Sequence, residues 1–422
     1  MIIHPPQVSR HDGLVRVTAP ISFAGKEDKL WFEVDAKYEE FLSSDRIDSF
    51  LIALLPLAMT LGEDIQLEHP VSQRVYFNTT RHLIPMLAVA LPGLKKVIVT
   101  RGDYAPPIKT GKGPVVGLGL SCGVDSMSTL AENLRPETPS SHRITPGVFT
   151  NVGSNGPTDS EAGQSLMRGR MRNSLGCATE LGLGFIFIDS NLQRLNPVDY
   201  DRAHTYLNAA AVLMLERLIC RYYYSAGHTL KDFRVGRSTC INYDPLICSY
   251  VSTDLTDFVA PGVQLTRTEK TRVISDFEPA YRWLNVCSLQ ATNCSHCEKC
   301  LRTQLTLDVL GKLDRFDRVF KVEEFPQERR DYTCLVLAKK RRSSFCKEIV
   351  DLMGEVGYRP TLGFRLYNIG YRLTFEGAML ARTSLMLFYD RLDALPRAKS
   401  SRLLGPVRFA ITKLDRVWIR IN

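Results

Sequence analysis

The sequence predicts an α/β protein: a parallel sheet clothed by helices, with a smaller α/β unit ahead of it and a helical, basic region behind. Three observations carry this prediction. From about residue 111 to 285, short apolar runs alternate with longer stretches of helical spacing, the rhythm of strand–helix–strand units. A tight turn, Ser121-Cys-Gly-Val-Asp-Ser126, joins the first of those strands to the helix that follows. Four cysteines then crowd between Cys287 and Cys300, after which the composition turns basic.

Residues 1–110 read as a separate α/β unit. Leu14 to Phe23 alternates loosely and Leu30 to Val34 is a second strand. Asp48 to Leu61 is apolar at helical spacing and closes at Gly62; Ile65 to Glu68 is a strand, Ser72 to Ala90 a helix and Lys96 to Thr100 a strand. The acidic residues here (Asp45, Asp48, Glu63, Asp64) read as solvated surface. Arg101 to Gly113, with Pro106 and Pro107, reads as a linker.

Residues 111–325 form the second domain. Val115 to Leu120 is a buried strand and Met127 to Leu134 a helix stopped by Pro136. Gly147 to Val152 and Gly184 to Asp189 are the next strands, separated by a helix from Ser160 to Leu181 carrying Arg168, Arg170 and Arg172, which read as an exposed basic face ahead of a phosphate contact. Ala203 to Cys220 is expected to be one long apolar helix and Tyr222 to Ala226 a strand ending at Gly227. In open parallel sheets ligands sit beyond the carboxyl ends of the strands, where strand order reverses. That rule gathers the 121–126 turn, Thr150-Asn151, Asp189-Ser190 and Gly227-His228 around one crevice. His204 reads as a structural histidine ahead of a catalytic one. Thr266 with Glu269 is a Thr-x-x-Glu capping box that starts a helix, and that role suffices for it.

The 422-residue chain has ordinary apolar (44%) and charged (23%) content. It contains no run of eighteen uncharged apolar residues and no basic-then-apolar start, so neither a membrane span nor a signal peptide is expected. Eleven cysteines, an odd count, point to a reducing, cytoplasmic setting in which clustered cysteines usually bind metal. The net charge of +9 is concentrated at the end: from Asp331 onward there are 17 Lys and Arg against 8 Asp and Glu.

The turn after the first strand has the properties of a phosphate site. Gly123 lets the backbone pass close to a ligand, and the first N–H groups of the helix point at one spot with the positive end of the dipole behind them. An ordinary capped turn with Asp125 or Ser126 as the cap is the plain alternative. No Gly-Lys-Ser/Thr follows, so this is not the Walker form. In Cys287-x6-Cys294-x2-Cys297-x2-Cys300, overlapping Cys-x-x-Cys units bring three thiolates together and Cys287 folds back as a fourth. Four sulfurs suit Zn²⁺ in a closed, structural site; an iron–sulfur cluster or a redox dithiol are the alternatives. His296 is less well spaced.

Ser121-Cys-Gly-Val-Asp-Ser126 resembles the Ser-Gly-Gly-x-Asp-Ser loop of the PP-loop ATP pyrophosphatases, which cut ATP between its α and β phosphates. Ser121, Gly123, Asp125 and Ser126 match; Cys122 stands where the family has Gly, which would place a thiol at the phosphate. The resemblance spans roughly residues 111–310 and implies an adenine nucleotide alpha hydrolase-like fold. It implies ATP held by Ser121, Cys122, Gly123, Val124, Asp125 and Ser126, with Thr150 and Phe149 near the adenine and Gly227 as the far wall, and Mg²⁺ held by Asp125. Asp125 and Ser126 are the expected catalytic residues. A Leu-Thr-Lys-x-Glu segment of the family is similar to Leu265 to Lys270. With the cysteines, the whole looks like the 7-cyano-7-deazaguanine synthase (QueC) group, whose zinc positions fall on Cys287, Cys294, Cys297 and Cys300. The leading 110 residues and the basic tail depart from it and resemble the larger QatC-type members of phage-defence operons.

The resemblance implies an ATP-dependent, carbon–nitrogen bond-forming enzyme. It would adenylate a small carboxylate-bearing, nucleobase-like substrate or a partner protein, release pyrophosphate and then admit ammonia or an amine. A PP-loop sulfurtransferase acting on RNA through Cys122 or Cys177, and a non-catalytic nucleotide-binding subunit, are the alternatives. Residues 326–422 read as a basic helical region, with Lys339 to Arg342 a basic run and Thr374 to Leu395 and Arg402 to Arg420 apolar and basic stretches. A helical cap with a basic face is the plain account; a docking surface for an acidic protein is the sharper one, with nucleic acid less favoured because aromatic residues are sparse.

Overall fold

A computed structural model describes residues 1–106, 115–155, 160–236 and 239–358, together with Phe364 and Asn368. The stretches read as helical and basic at 374–395 and 402–420 lie outside the described residues. Two compact units occur, divided between Asn293 and Cys294.

The first unit is built on one sheet of eleven strands: β1 (Ile2–Ile3), β2 (Gln7–His11), β3 (Leu14–Phe23), β4 (Lys26–Asp35), β5 (Ile65–Leu67), β6 (Val99–Arg101), β7 (Val115–Gly119), β8 (Pro146–Asn151), β9 (Gly184–Ser190), β10 (Ile219–Tyr223) and β11 (Asp257–Val259). Their order is β11-β10-β7-β8-β9-β4-β3-β1-β5-β6, with β2 added beside β3. The five strands β11, β10, β7, β8 and β9 run parallel. Strand order reverses at β7, whose neighbours are β8 on one side and β10 on the other, and the carboxyl end of such a strand is where open parallel sheets hold ligands.

Residues 1–106 extend this same sheet. The long hairpin β3–β4 turns at Ala24 and Gly25, which both adopt positive φ, 49° and 69°, the two-residue geometry that matches strand twist. Along β3 the burial alternates, apolar Val15, Val17, Ala19 and Ile21 facing in. β4 then pairs antiparallel with β9, Phe32 opposite Ser190 and Glu33 opposite Asp189. The helix Asp48–Leu61 is buried from Asp48 to Met59, most of it apolar on every side; Asp48, expected on solvated surface, is instead 2% exposed and accepts the Ser72 amide at 2.9 Å. It packs on the helix His204–Leu213, where the Ser49 hydroxyl donates to the Ala210 carbonyl at 2.5 Å. Gly62, at φ 75°, closes it in the left-handed conformation as its position requires.

Most expected elements fall within a few residues of their predicted places. The exception is the expected helix from Ala203 to Cys220. It ends at Leu213, turns at Met214–Leu218 and enters β10 at Ile219, so the expected strand Tyr222–Ala226 begins three residues earlier. The residues from Ala209 to Leu218 are apolar almost without break, and a run with no polar face carries no period from which to place a helix end. Pairing with β7, Ile219 opposite Val115, decides it.

The second unit comprises helices Glu298–Val309, Phe325–Lys339 and Ser344–Glu355. Arg329 pairs with Asp308 at 3.1 Å and the Arg302 guanidinium lies 4.2 Å from the Phe345 ring centre. Lys340, Arg341 and Arg342 of the basic run are exposed at a helix C-terminus, where cations are favoured.

The β4–β9 pairing joins the two halves of the sheet, and the Phe32 ring beneath it is 2% exposed and meets Phe50 edge-on at 5.5 Å. Phe32→Ala is expected to destabilise the protein by about 3–5 kcal/mol, read as a lower urea midpoint in equilibrium unfolding.

Candidate functional site

The 121–126 turn sits at the carboxyl end of β7, beside the reversal of strand order. Cys122 adopts φ 58°, the left-handed conformation that a Gly would take without cost. Its carbonyl accepts the Asn285 amide at 2.8 Å. Its thiol is fully buried and turns inward to Cys177 and Ser174, with Ser174 Oγ at 3.9 Å. The hydrogen bond to Cys177 and burial raise this thiol well above the ordinary range. The expectation of a thiol at the phosphate is therefore corrected: in the left-handed turn the Cys122 side chain points into the core, and the whole residue is buried.

The helix Val124–Asn133 starts with Gly123 as its N-cap and no side-chain cap. Its first intrahelical bond runs from the Met127 amide to the Gly123 carbonyl at 2.9 Å, so the amides of Val124, Asp125 and Ser126 precede the ladder. Ser121, exposed, and Ser126, buried, approach each other at 3.3 Å, and the Ser121 hydroxyl accepts the Gly123 amide at 3.3 Å.

Asp125 is engaged by two cations. Arg267 Nη2 lies 2.9 Å from one carboxylate oxygen and Lys270 Nζ 3.3 Å from the other. Both belong to the helix Arg267–Ile274, whose capping box of Thr266 and Glu269 is formed in both directions. Lys270 is 1% exposed and also donates to the Ala226 carbonyl; Arg267 donates to the Gly227 carbonyl at 3.3 Å. Burial lowers the neighbouring His228 below the usual histidine range. The two cations are functional candidates that reading the capping box alone passed over. The signal was present in Leu265 to Lys270: a box that starts a helix fixes which way the residues one and four positions on will point.

Thr150, at the end of β8, is buried and donates to Asn208. Asn151 donates to Asp189 at 2.8 Å, and burial raises that carboxyl. Gly227 stands against Ile241, which a Cβ would meet at 2.6 Å. Arg170 is spent on structure, donating to the Ser154 and Cys287 carbonyls. His204 is buried and its Nδ1 lies 2.5 Å from the Tyr224 hydroxyl. The open groove around Gln7, Thr18 and Lys29 contains none of these residues.

The thiols of Cys287, Cys294, Cys297 and Cys300 lie within 4.8 Å of one another. Cys294 and Cys300 sulfurs are 3.9 Å apart, close to the edge of about 3.8 Å that a tetrahedron with Zn–S bonds of about 2.3 Å requires. Ser295 at φ 66° makes the knuckle turn. The Cys297 amide donates to Cys294 Sγ, and the Leu289 and Gln290 amides to Cys287 Sγ, at 3.3–3.4 Å, bonds that favour thiolate. The cluster is compatible with a zinc site. His296 stays outside it, half-exposed against Glu324 and Glu328.

No protein-family model, curated protein or solved structure matches the chain. Among the described residues no helix is long and apolar enough to cross a membrane.

Two outcomes follow from this geometry. Cys294→Ser should abolish zinc retention at the knuckle, measured as metal content, and lower stability by on the order of 4 kcal/mol, measured in the same unfolding assay. In the folded protein, Cys122 should stay unmodified by iodoacetamide while the thiols become reactive in urea, read by peptide mass spectrometry.

Proposed function

We propose that the chain is an ATP-dependent enzyme of the PP-loop pyrophosphatase type, QueC-like, that activates a carboxylate by adenylation. The observation that carries this reading is the meeting, at the carboxyl end of the central strand, of an uncapped helix start with the Lys270–Asp125–Arg267 cluster. Helix-terminal amides together with a lysine and an arginine are the kinds of group that hold a polyphosphate, and here both cations meet Asp125 of the same helix start. A buried lysine held by one carboxylate and one carbonyl can exchange either for a phosphate oxygen.

In this reading the substrate carboxylate oxygen attacks the α-phosphorus, the α–β bridging bond breaks and pyrophosphate leaves with the electron pair. Ammonia or an amine then displaces AMP from the acyl carbon. The amides of Val124, Asp125 and Ser126 and the side chains of Lys270 and Arg267 hold the departing pyrophosphate. Asp125 would be the carboxylate to hold the Mg²⁺ that accompanies ATP, and the ion would supply charge neutralisation at the phosphates. A deazaguanine-type carboxylate is the substrate class, and a carboxylate on a partner protein of a phage-defence system the extension of it.

The test is incubation with Mg-ATP, ammonium and 7-carboxy-7-deazaguanine, with nucleotide products separated chromatographically. AMP and pyrophosphate are expected; ADP and phosphate as the products would overturn the reading. Lys270→Met should lower turnover at least about 100-fold, the scale of a lost transition-state donor, with the protein still folded by circular dichroism. A folded Lys270→Met protein of undiminished turnover would remove Lys270 from the site.

A further inference from the structure

A second set of metal-type side chains converges away from the knuckle. His204 opens the helix His204–Leu213, Cys240 opens the turn Cys240–Tyr243, and Asp244 opens the helix Asp244–Val251. One ligand atom from each lies within 4.8 Å of the other two. They are 7%, 0% and 1% exposed. Three separate elements thus start at one buried point, each beginning with a residue that can donate to a metal.

We propose that His204, Cys240 and Asp244 form a second metal site, for a divalent transition ion of the zinc class. Among the described residues no lysine or arginine lies within ion-pair distance of Asp244, which feels the Lys270 charge from farther off and accepts the Thr205 hydroxyl; a bound cation would offset the desolvation of this buried carboxylate directly. One nitrogen, one sulfur and one oxygen donor suit zinc rather than magnesium or calcium, which take oxygen alone. The Thr205 hydroxyl marks the convergence: it lies 3.2 Å from His204 Nδ1 and 3.3 Å from Cys240 Sγ, and it donates to Asp244. Three protein ligands leave a fourth position, in contrast to the closed four-sulfur knuckle, and Tyr224 and Thr205 are the hydroxyls beside it. None of its three ligands belongs to the 121–126 turn or the Lys270 helix, so a metal count tests it separately from ATP turnover, although the Asp125 and Lys270 charges act on Asp244.

The test counts metal on the full chain. Zinc is removed with a chelator and titrated back against a chromophoric competitor, with content checked by elemental analysis. The wild type should take two equivalents, and His204→Gln and Asp244→Asn should each lose one and keep the other. The pair variant Cys294→Ser/Cys297→Ser should keep the equivalent that those two lose. A wild type with one equivalent and a pair variant with none would show a hydrogen-bonded cluster without an ion and overturn the proposal, as would two equivalents retained by Asp244→Asn. If the variants fail to fold, cobalt decides on the wild type alone. A second equivalent whose thiolate-to-cobalt band is about a quarter of the first reports one sulfur against four, and a second equivalent without that band, or none at all, refutes the site.

Discussion

The architecture depends on how closely β7 can lie between its neighbours. A Cβ at Gly119 would stand 2.7 Å from the Tyr222 hydroxyl, and one at Gly117 3.1 Å from Val148. Two glycines in one short strand weaken it intrinsically, yet here they let Tyr222 of β10 and Val148 of β8 close over it from either side. That closeness suits β7 to its place in the middle of the five parallel strands, the place at which strand order reverses. The 121–126 turn, the helix start behind it and the cations that meet Asp125 all occupy a position that this packing creates.

Much of this was legible in the residues. Apolar runs of strand length located β7, β8 and β9, the Ser160 cap opened the long helix at Glu161, and the cysteine spacing brought four thiols to one place. What escaped has a common cause: it depends on which distant segments meet. Nothing in Phe32 or Ser190 alone says that β4 pairs with β9 and so makes one sheet of segments read as separate units. The apolar stretch before β10, broken only by Glu216 and Arg217, has no periodicity to mark where its helix ends. The inward turn of Cys122 depends on a cavity shaped by Ser174 and Cys177, about fifty residues on. Lys270 was visible as the residue after a capping box, but its salt bridge to Asp125 spans 145 residues.

Cys122 itself shows why a departure from glycine can be tolerated in such a turn. The left-handed conformation costs a residue with a Cβ about 1–2 kcal/mol. Burying the thiol beside Cys177 recovers part of that cost, and it also ties the turn to the helix Glu161–Glu180, which a glycine could not do. From the other side, the Asn285 amide holds the Cys122 carbonyl, and the segment after Leu284 is closed on itself by Asn293, whose side chain bonds Leu284, Val286 and Cys287. Arg170, on that same long helix, holds the Cys287 carbonyl at 3.0 Å. The first knuckle thiol and the 121–126 turn thus share one short, doubly anchored piece of chain. A zinc ion bound at Cys287 would act on the turn by fixing the residues that hold its backbone, a structural role consistent with a four-sulfur shell that leaves no position for chemistry.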